Sequence, residues 1–396
     1  MKKKSATSQY WMRNALPLYL KQMKKLNIGG FSSGNQVELI VDGAECYKKF
    51  YDAIDNAVSS INLETYIFRS DEAGWEIANR LAAAADRGVE VNLIYDAIGS
   101  IKTSRSIFNF MRAMGIEVIE YHPIFPWRKF WNITFRDHRK IMVVDGKCAF
   151  IGGLNIGNEY AGNLYTDEYQ RDTHARITGP AVREIQFFFM ENWFRNGGSV
   201  VDYSRHFPDV KKSGKKMVMI LCTKSRRNVR PIHFSYLSAI DSARESISIA
   251  NAYFIPDQKI YRSLCAAAKR GVSVKIILPS RYAMPVVKNA VRYLYRRYLR
   301  HGIEIYEYQD NVLHVKSAVI DCVWSMVGSS NLDRLSYRIN LELNAVVLDE
   351  DFGEKMEKVF HDDLKYCQKI EIENIEKRSL WRLFVEWLCY RFRNIL

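Results

Sequence analysis

Part of this chain occurs twice, and no other feature limits its possible folds as strongly. Ala82–Val91 (AAAADRGVEV) returns as Cys265–Val274 (CAAAKRGVSV), and Gly115–Tyr121 (GIEVIEY) returns as Gly302–Tyr308 (GIEIYEY). Glu64–Phe68 (ETYIF) matches Asn251–Ile255 (NAYFI). The order is preserved, with separations between 183 and 187 residues. Three matches in register imply a duplicated domain.

Each copy alternates between two hydrophobic periods. Val37–Asp42, Ile61–Phe68, Val89–Asp96, Ile116–Tyr121 and Lys140–Asp145 are β-branched, partly continuous apolar runs, which predict strands covered on both faces. Cys46–Val58, Ala73–Ala85 and Ser104–Met114 have helical spacing, with Gly88 and Gly115 as stop signals. The second half repeats the scheme from Met217 to Asp349. The expected fold class is α/β: two duplicated α/β/α sandwich domains with pseudo-twofold symmetry. The expected divisions are an amphipathic segment (1–30), a first domain (31–200), a polar linker (201–216), a second domain (217–366) and an amphipathic C-terminal segment (367–396).

The chemistry is carried by a motif present in both halves. Asp137-His138-Arg-Lys140-Ile-Met-Val-Val-Asp145 precedes Gly152-Gly153-Leu-Asn155, and Leu313-His314-Val-Lys316-Ser-Ala-Val-Ile-Asp321 precedes Gly328-Ser329-Ser-Asn331. Both fit H-x-K-x4-D-x6-G-[GS]-x-N. On a strand, His-x-Lys directs a nucleophile and a cation to one face, because side chains alternate with period two. The Asp closing the strand is expected to orient an imidazole, and the Gly-rich turn to let backbone and amide approach an anionic oxygen. Chance would produce one such motif occasionally. Two, at equivalent points of an independent repeat, it would not. His122, His174, His206, His233, His301 and His361 fit no pattern and are expected to be structural or exposed.

This constellation resembles the phospholipase D superfamily over nearly the whole chain. The resemblance implies that one histidine attacks phosphorus to give a phosphohistidine while the other protonates the leaving alcohol, the roles then reversing. It implies His138 as nucleophile and His314 as general acid/base. Lys140, Lys316, Asn155 and Asn331, with Gly153 and Ser329, would hold the phosphate, and Asp145 and Asp321 would fix the imidazole tautomers. No metal and no cofactor is implied. Finer features, including Leu63–Phe68, Asp71–Gly74, Asp96–Ser100, Arg171-Asp172-Thr-His174, Ala252–Pro256 and Val327–Asp333, resemble bacterial cardiolipin synthases, closest to the B-type branch without N-terminal membrane helices. That implies transfer of a phosphatidyl group, from phosphatidylglycerol or phosphatidylethanolamine, to a glycerol hydroxyl of a second lipid. Glu159 and Glu342 stand near the motifs, either as acceptor-side contacts or as structural ion-pair members.

Charge and terminal sequence bear on the partner. A net charge of +14 favours an anionic one, either nucleic acid or anionic lipid. Ser379–Leu396 is rich in Trp, Phe and Leu with interspersed Arg, which suits an interfacial helix or a helix packed on the core. Tyr121–Trp131 has the same character, and Tyr10–Leu20 is open to either reading. Arg281–Arg300 has six basic residues and no acid, as in a headgroup-binding helix or a solvated face over a core stripe. These features favour an anionic phospholipid membrane as partner and disfavour nucleic acid; they are silent on any protein partner. No run of about 18 apolar residues and no cleavable leader is present, so the expected location is peripheral, on the cytoplasmic membrane face. Seven scattered cysteines without a CxxC pair fit reduced thiols. A lipid hydrolase would use the same residues, and a nuclease of the superfamily is the other rival.

Overall fold

In a computed structural model, which describes residues 5–26, 28–123, 135–223 and 230–393, the duplication appears as one continuous sheet. Outward from its centre, the first half orders its strands Ser32–Ile40, His174–Thr178, Cys148–Gly152, Ile141–Val144, Ser60–Thr65, Glu90–Asp96 and Glu117–Tyr121. The second half orders them Lys216–Thr223, Glu342–Leu348, Trp324–Gly328, Lys316–Ile320, Ser246–Asn251, Ser273–Pro279 and Glu304–Tyr308, with Cys367–Lys369 added at the edge. The two innermost strands are symmetry equivalents. They pair antiparallel, Ser32 opposite Val218 and Asn35 opposite Lys216, so the pseudo-twofold axis runs between them.

Local chemistry sets the helix ends in the same way in both halves. Asp71 caps Glu72–Asp86 by accepting from Gly74 N at 3.0 Å, and Asp257 caps Gln258–Lys269 by accepting from Ile260 N at 3.1 Å. The stops at Gly88 and Gly115 have φ of 85° and 82°, and Gly271 and Gly302 repeat them at 90° and 77°. A side chain there would meet the left-handed penalty that glycine avoids.

Two corrections concern the sequence reading. The third repeat match slips by one residue: Phe68 bridges Ile156 and Phe254 bridges Leu332, so Phe68 corresponds to Phe254 and Arg69 to Ile255. The stretch 201–216 is also not a loose connection. It contains the helix Tyr203–His206, whose buried His206 meets Asn62 Nδ2 at 3.0 Å and Glu90 Oε1 at 2.9 Å. Lys216 already belongs to the central strand.

Helices cover both sheet faces. On one face, Gly43–Asp55, Glu72–Asp86 and Arg105–Ala113 pack a core of Ile54, Ile77, Leu81 and Met111 over Leu63 and Leu93. The corresponding core of the second half includes Ile260, Val291 and Tyr298, and also takes in Trp11, Tyr19 and Met23. The N-terminal segment thus packs on this core: Trp11 Nε1 donates to Asp321 at 2.8 Å, and the Tyr19 hydroxyl contacts Ser235. On the opposite face, Ala181–Arg195 and Glu350–Leu364 share a core with residues of both halves, among them Val182, Ile185, Val218, Leu343 and Met356. Each such side chain contributes about 1.5–3 kcal/mol on burial, so the halves are held together by core as well as by sheet.

Pro285–Leu299 is the helix within the basic stretch. Its Val287, Val291, Leu294 and Tyr295 are buried, Arg292 pairs with Glu307 at 3.0 Å, and Arg300 pairs with Glu376 at 3.1 Å. These pairs favour the core-stripe reading over headgroup binding along its whole length. The aromatic stretch before the first motif falls largely on 124–134, outside the described residues.

Candidate active site

Each motif is fixed by backbone from the other half. His138 N donates to Leu341 O at 3.0 Å, and Leu341 N donates to Arg136 O at 2.9 Å. Val312–Leu313 pairs in parallel with Gln170–Arg171, and His314 N donates to Arg171 O at 2.8 Å. The histidines lie in extended segments leading into Ile141–Val144 and Lys316–Ile320, at the edge of a cavity of about 650 Å³ between the halves. His138, His314, Asn155 and Asn331 line it, so the structure brings together four of the groups that the paired motifs single out.

The orienting acids also cross between halves. His138 Nδ1 lies 3.1 and 3.2 Å from the two oxygens of Glu342, and His314 Nδ1 lies 2.7 Å from Asp172 Oδ2. Of the two readings of Glu342, the structural ion-pair member fits its fully buried place against His138. Asp172 had no role assigned from sequence. The signal was present: Gly152 pairs with His174 and Gly328 with Asn344, and the residue two before each partner is the acid. Gly153 and Ser329 support these acids and do not line the cavity. A Cβ on Gly153 would come within 2.1 Å of Asp172 Oδ2, and the Ser329 hydroxyl contacts the Glu342 carboxylate.

Asp145 and Asp321 do not orient the imidazoles. Seven residues of extended chain separate each from its histidine, roughly 20 Å at about 3.3 Å per residue. Both adopt left-handed backbone, φ 53° and 54°, at the far end of their strands. Asp145 Oδ1 accepts from Ser59 N at 2.7 Å and Ser60 N at 3.1 Å, and Asp321 Oδ1 accepts from Glu245 N at 2.8 Å and Ser246 N at 2.9 Å. They staple the loop that starts the neighbouring strand.

Lys140 and Lys316 are buried beside the histidines. Lys140 Nζ donates to His138 O at 2.6 Å and lies 5.3 Å from the Tyr66 ring centroid. Lys316 Nζ is 3.0 Å from His314 Nδ1 and 3.8 Å from Asp172 Oδ2. Asn155 Oδ1 accepts from Ile67 N at 3.1 Å, and the residue lines the cavity. Asn331 Oδ1 is buried with no partner among the described residues.

Burial dominates the electrostatics. It lowers His138 well below the usual imidazole range, assisted by Lys140 and Lys316, and lowers His314 to about 4 against the pull of Asp172. Lys140 is brought down to about 7 by desolvation, and Glu342 is raised to about 8 by the same cause. Asp172 is held low, since Lys316 and the His314 hydrogen bond outweigh burial. The resting site therefore has two neutral imidazoles, each with Nδ1 engaged by an acid and Nε2 left for chemistry. Around them are lysine and amide groups suited to an anionic tetrahedral centre.

Glu159 lines the same cavity and pairs with Arg69, Nε to Oε1, at 3.2 Å. Asp333, Arg136 and Arg281, which the motifs did not indicate, line it too.

Residues 50–193 and 236–364 match the family described as "Cardiolipin synthase, PLD-like domain". Cardiolipin synthase 2 of Bacillus anthracis is 34% identical over 365 residues, covering 91% of this chain and 71% of that protein. A cardiolipin synthase of Staphylococcus aureus is 34% identical over 380 residues, covering 95% and 76%. Among solved structures, phosphatidylserine synthase of Haemophilus influenzae superposes with a TM-score of 0.73 at 16% identity, covering 96% of this chain and all of that one. Polyphosphate kinase of Porphyromonas gingivalis gives 0.56 at 14% identity, over 90% and 52%. At such identities, these two likenesses speak to the fold alone.

Proposed function

This chain belongs to the phospholipase D-like cardiolipin synthases, and on that premise we propose that its single interfacial site joins two phospholipids. It is a phosphatidyltransferase. The donor in this reading is phosphatidylglycerol or phosphatidylethanolamine, and the acceptor is a glycerol hydroxyl of a second lipid.

The observation that carries the mechanism is the pair of crossed acid–imidazole contacts facing one cavity. His138 Nε2 attacks phosphorus, the bond from phosphorus to the headgroup oxygen breaks, and His314 gives that oxygen a proton. Glu342 faces the positive charge that develops on His138. His314 is neutral at rest, so it must gain its proton as the anionic substrate enters. The phosphate charge and ionised Asp172 together lower the cost of that imidazolium. His314 then takes the proton of the incoming hydroxyl, whose oxygen attacks phosphorus while the bond to Nε2 breaks. Support for Lys140, Lys316, Asn155 and Asn331 as holders of the non-bridging oxygens comes from their position around both imidazoles.

No helix among the described residues is long and apolar enough to cross a membrane. The helix Leu380–Arg391 instead presents Leu380, Trp381, Phe384, Trp387 and Leu388 to solvent, with Trp381 73% exposed. Its other face packs on Pro285–Leu299, where Tyr390 stacks on Tyr293 at 4.7 Å. The segment beginning that helix, Met284 and Val287, lines the catalytic cavity. An apolar face with flanking arginines so near the cavity suits peripheral seating on an anionic bilayer, on its cytoplasmic face in our reading.

Purified protein incubated with labelled phosphatidylglycerol, with and without phosphatidylethanolamine, tests the assignment. Cardiolipin that disappears in His138→Ala and His314→Ala supports it. Phosphatidic acid alone would make the protein a hydrolase.

A further inference from the structure

The two walls of the catalytic cavity descend from one repeated unit, yet they differ in chemistry. Counting from His138 and His314, Glu159 corresponds to Leu335 and Arg136 to Val312. Backbone contacts equate Arg69 with Ile255, since Arg69 N donates to Ile156 O at 2.9 Å and Ile255 N donates to Leu332 O at 3.0 Å. Strand register equates Asp96 with Pro279, because Asp96 faces Tyr121 and Pro279 faces Tyr308. The Arg69–Glu159 and Asp96–Arg136 ion pairs of the first-half wall thus become Ile255 with Leu335 and Pro279 with Val312 on the other.

The Arg69–Glu159 pair is open to the cavity. Its side chains are 25% and 31% exposed, where those of the Arg136–Asp96 pair are 9% and 0% exposed. Only Arg69 Nε is engaged by Glu159, and its two terminal nitrogens have no protein hydrogen bond among the described residues. Space is reserved for it as well. A Cβ on Gly157 would come within 2.5 Å of Arg69 Cγ, whereas the corresponding residue of the other half is Asp333, which caps Arg334–Arg338 by accepting from Ser336 N at 2.7 Å. Next to Glu159, the Tyr160 ring lies 6.2 Å from that of His314. Arg281, the cation of the opposite wall, is exposed.

Joining two phospholipids brings a second phosphate to the cavity. In the proposed mechanism the donor's phosphate lies between the imidazoles, while the acceptor brings a phosphodiester of its own beside the attacking hydroxyl. We propose that Arg69 and Glu159 form the acceptor subsite, Arg69 binding the acceptor's phosphate and Glu159 accepting a hydrogen bond from its glycerol. This inference rests on the transferase reading. In the transfer step the acceptor oxygen bonds to phosphorus, the bond from phosphorus to His138 Nε2 breaks, and the hydroxyl proton passes to His314. Arg69 and Glu159 remain unchanged as positioning groups. An acceptor without a phosphate, such as ethanol, makes no use of Arg69.

The test gives one enzyme two competing acceptors. The full chain is incubated in mixed micelles of phosphatidylglycerol with added ethanol, and cardiolipin and phosphatidylethanol are quantified together. Arg69→Ile and Glu159→Leu install the residues of the opposite wall. Each should lower the cardiolipin-to-phosphatidylethanol ratio roughly tenfold or more and raise KM for acceptor phosphatidylglycerol. Arg69→Lys keeps the charge and should lower the ratio less. Arg69→Lys and Glu159→Gln carry the test if the apolar variants fail to fold. A ratio within about twofold of wild type in folded variants overturns the subsite and leaves the transferase reading intact. Absence of cardiolipin from the wild type overturns both.

Discussion

Glu342 and His138 lie 204 residues apart in sequence and 3.1 Å apart in space, Oε1 to Nδ1. Because the contact crosses the pseudo-twofold axis, the acid that faces Nδ1 of each histidine comes from the half that does not contain it. Glu342→Gln and Asp172→Asn should each lower kcat by about 10²–10⁴-fold with a much smaller change in KM, since they disturb tautomer and charge rather than lipid binding. Steady-state kinetics on mixed micelles checks this. Near-wild-type kcat in either variant would remove that carboxylate from the mechanism.

Asp145 and Asp321 should behave differently from the acids that face the imidazoles. Each satisfies several backbone donors of a strand-starting loop, so Asp145→Ala or Asp321→Ala should cost stability, about 2–4 kcal/mol, through the orphaned N–H groups. Folded protein should keep kcat within about tenfold of wild type. Denaturant titration beside kinetics separates the two quantities.

Acid should destabilise the fold over a definite window. His314 is held at about 4 and His174 at about 3, both by burial, against an ordinary 6.5. Between those values the unfolded chain binds protons that the native state refuses, so stability falls as pH drops from about 6.5 toward 4. The other half has Asn344 at the position of His174. His174→Asn should therefore flatten the decline by up to about 1.4 kcal/mol per pH unit, read from unfolding midpoints across that range.

Membrane seating should depend on the exposed face of Leu380–Arg391. Replacing Trp381, Phe384 and Trp387 with Ser should weaken co-sedimentation with phosphatidylglycerol vesicles by more than about tenfold. Turnover in detergent should stay close to wild type. Unchanged vesicle binding would assign attachment to another surface.

Duplication, strands, helix stops and the paired His-x-Lys groups were legible because each is a short-range pattern that occurs twice. The orienting acids were harder to read. Asp145 and Asp321 close the two copies of the motif and look like the partners of His138 and His314, but sequence spacing does not reveal that the strand carries each to the far end. Asp172 and Glu342 follow their motifs by unequal intervals, since the loops between Asn155 and Asp172 and between Asn331 and Glu342 differ in length. Only strand pairing brings them into equivalence. The one-residue slip at Phe68 and Phe254 has a similar origin. Tyr66 and Tyr253 align well by letter, yet the bridges to Ile156 and Leu332 set the register.

The pairing of Ser32–Asn35 with Lys216–Val218 joins two equivalent edges, as two identical molecules would join in a symmetric dimer. In such a dimer every substitution appears on both sides of the axis at once, so a wall cannot become apolar without its mate doing the same. Covalent fusion removes that constraint. Once one chain encodes both halves, Arg69 and Ile255 can diverge independently, and an ancestor treating its two ligands alike can give rise to an enzyme that tells them apart.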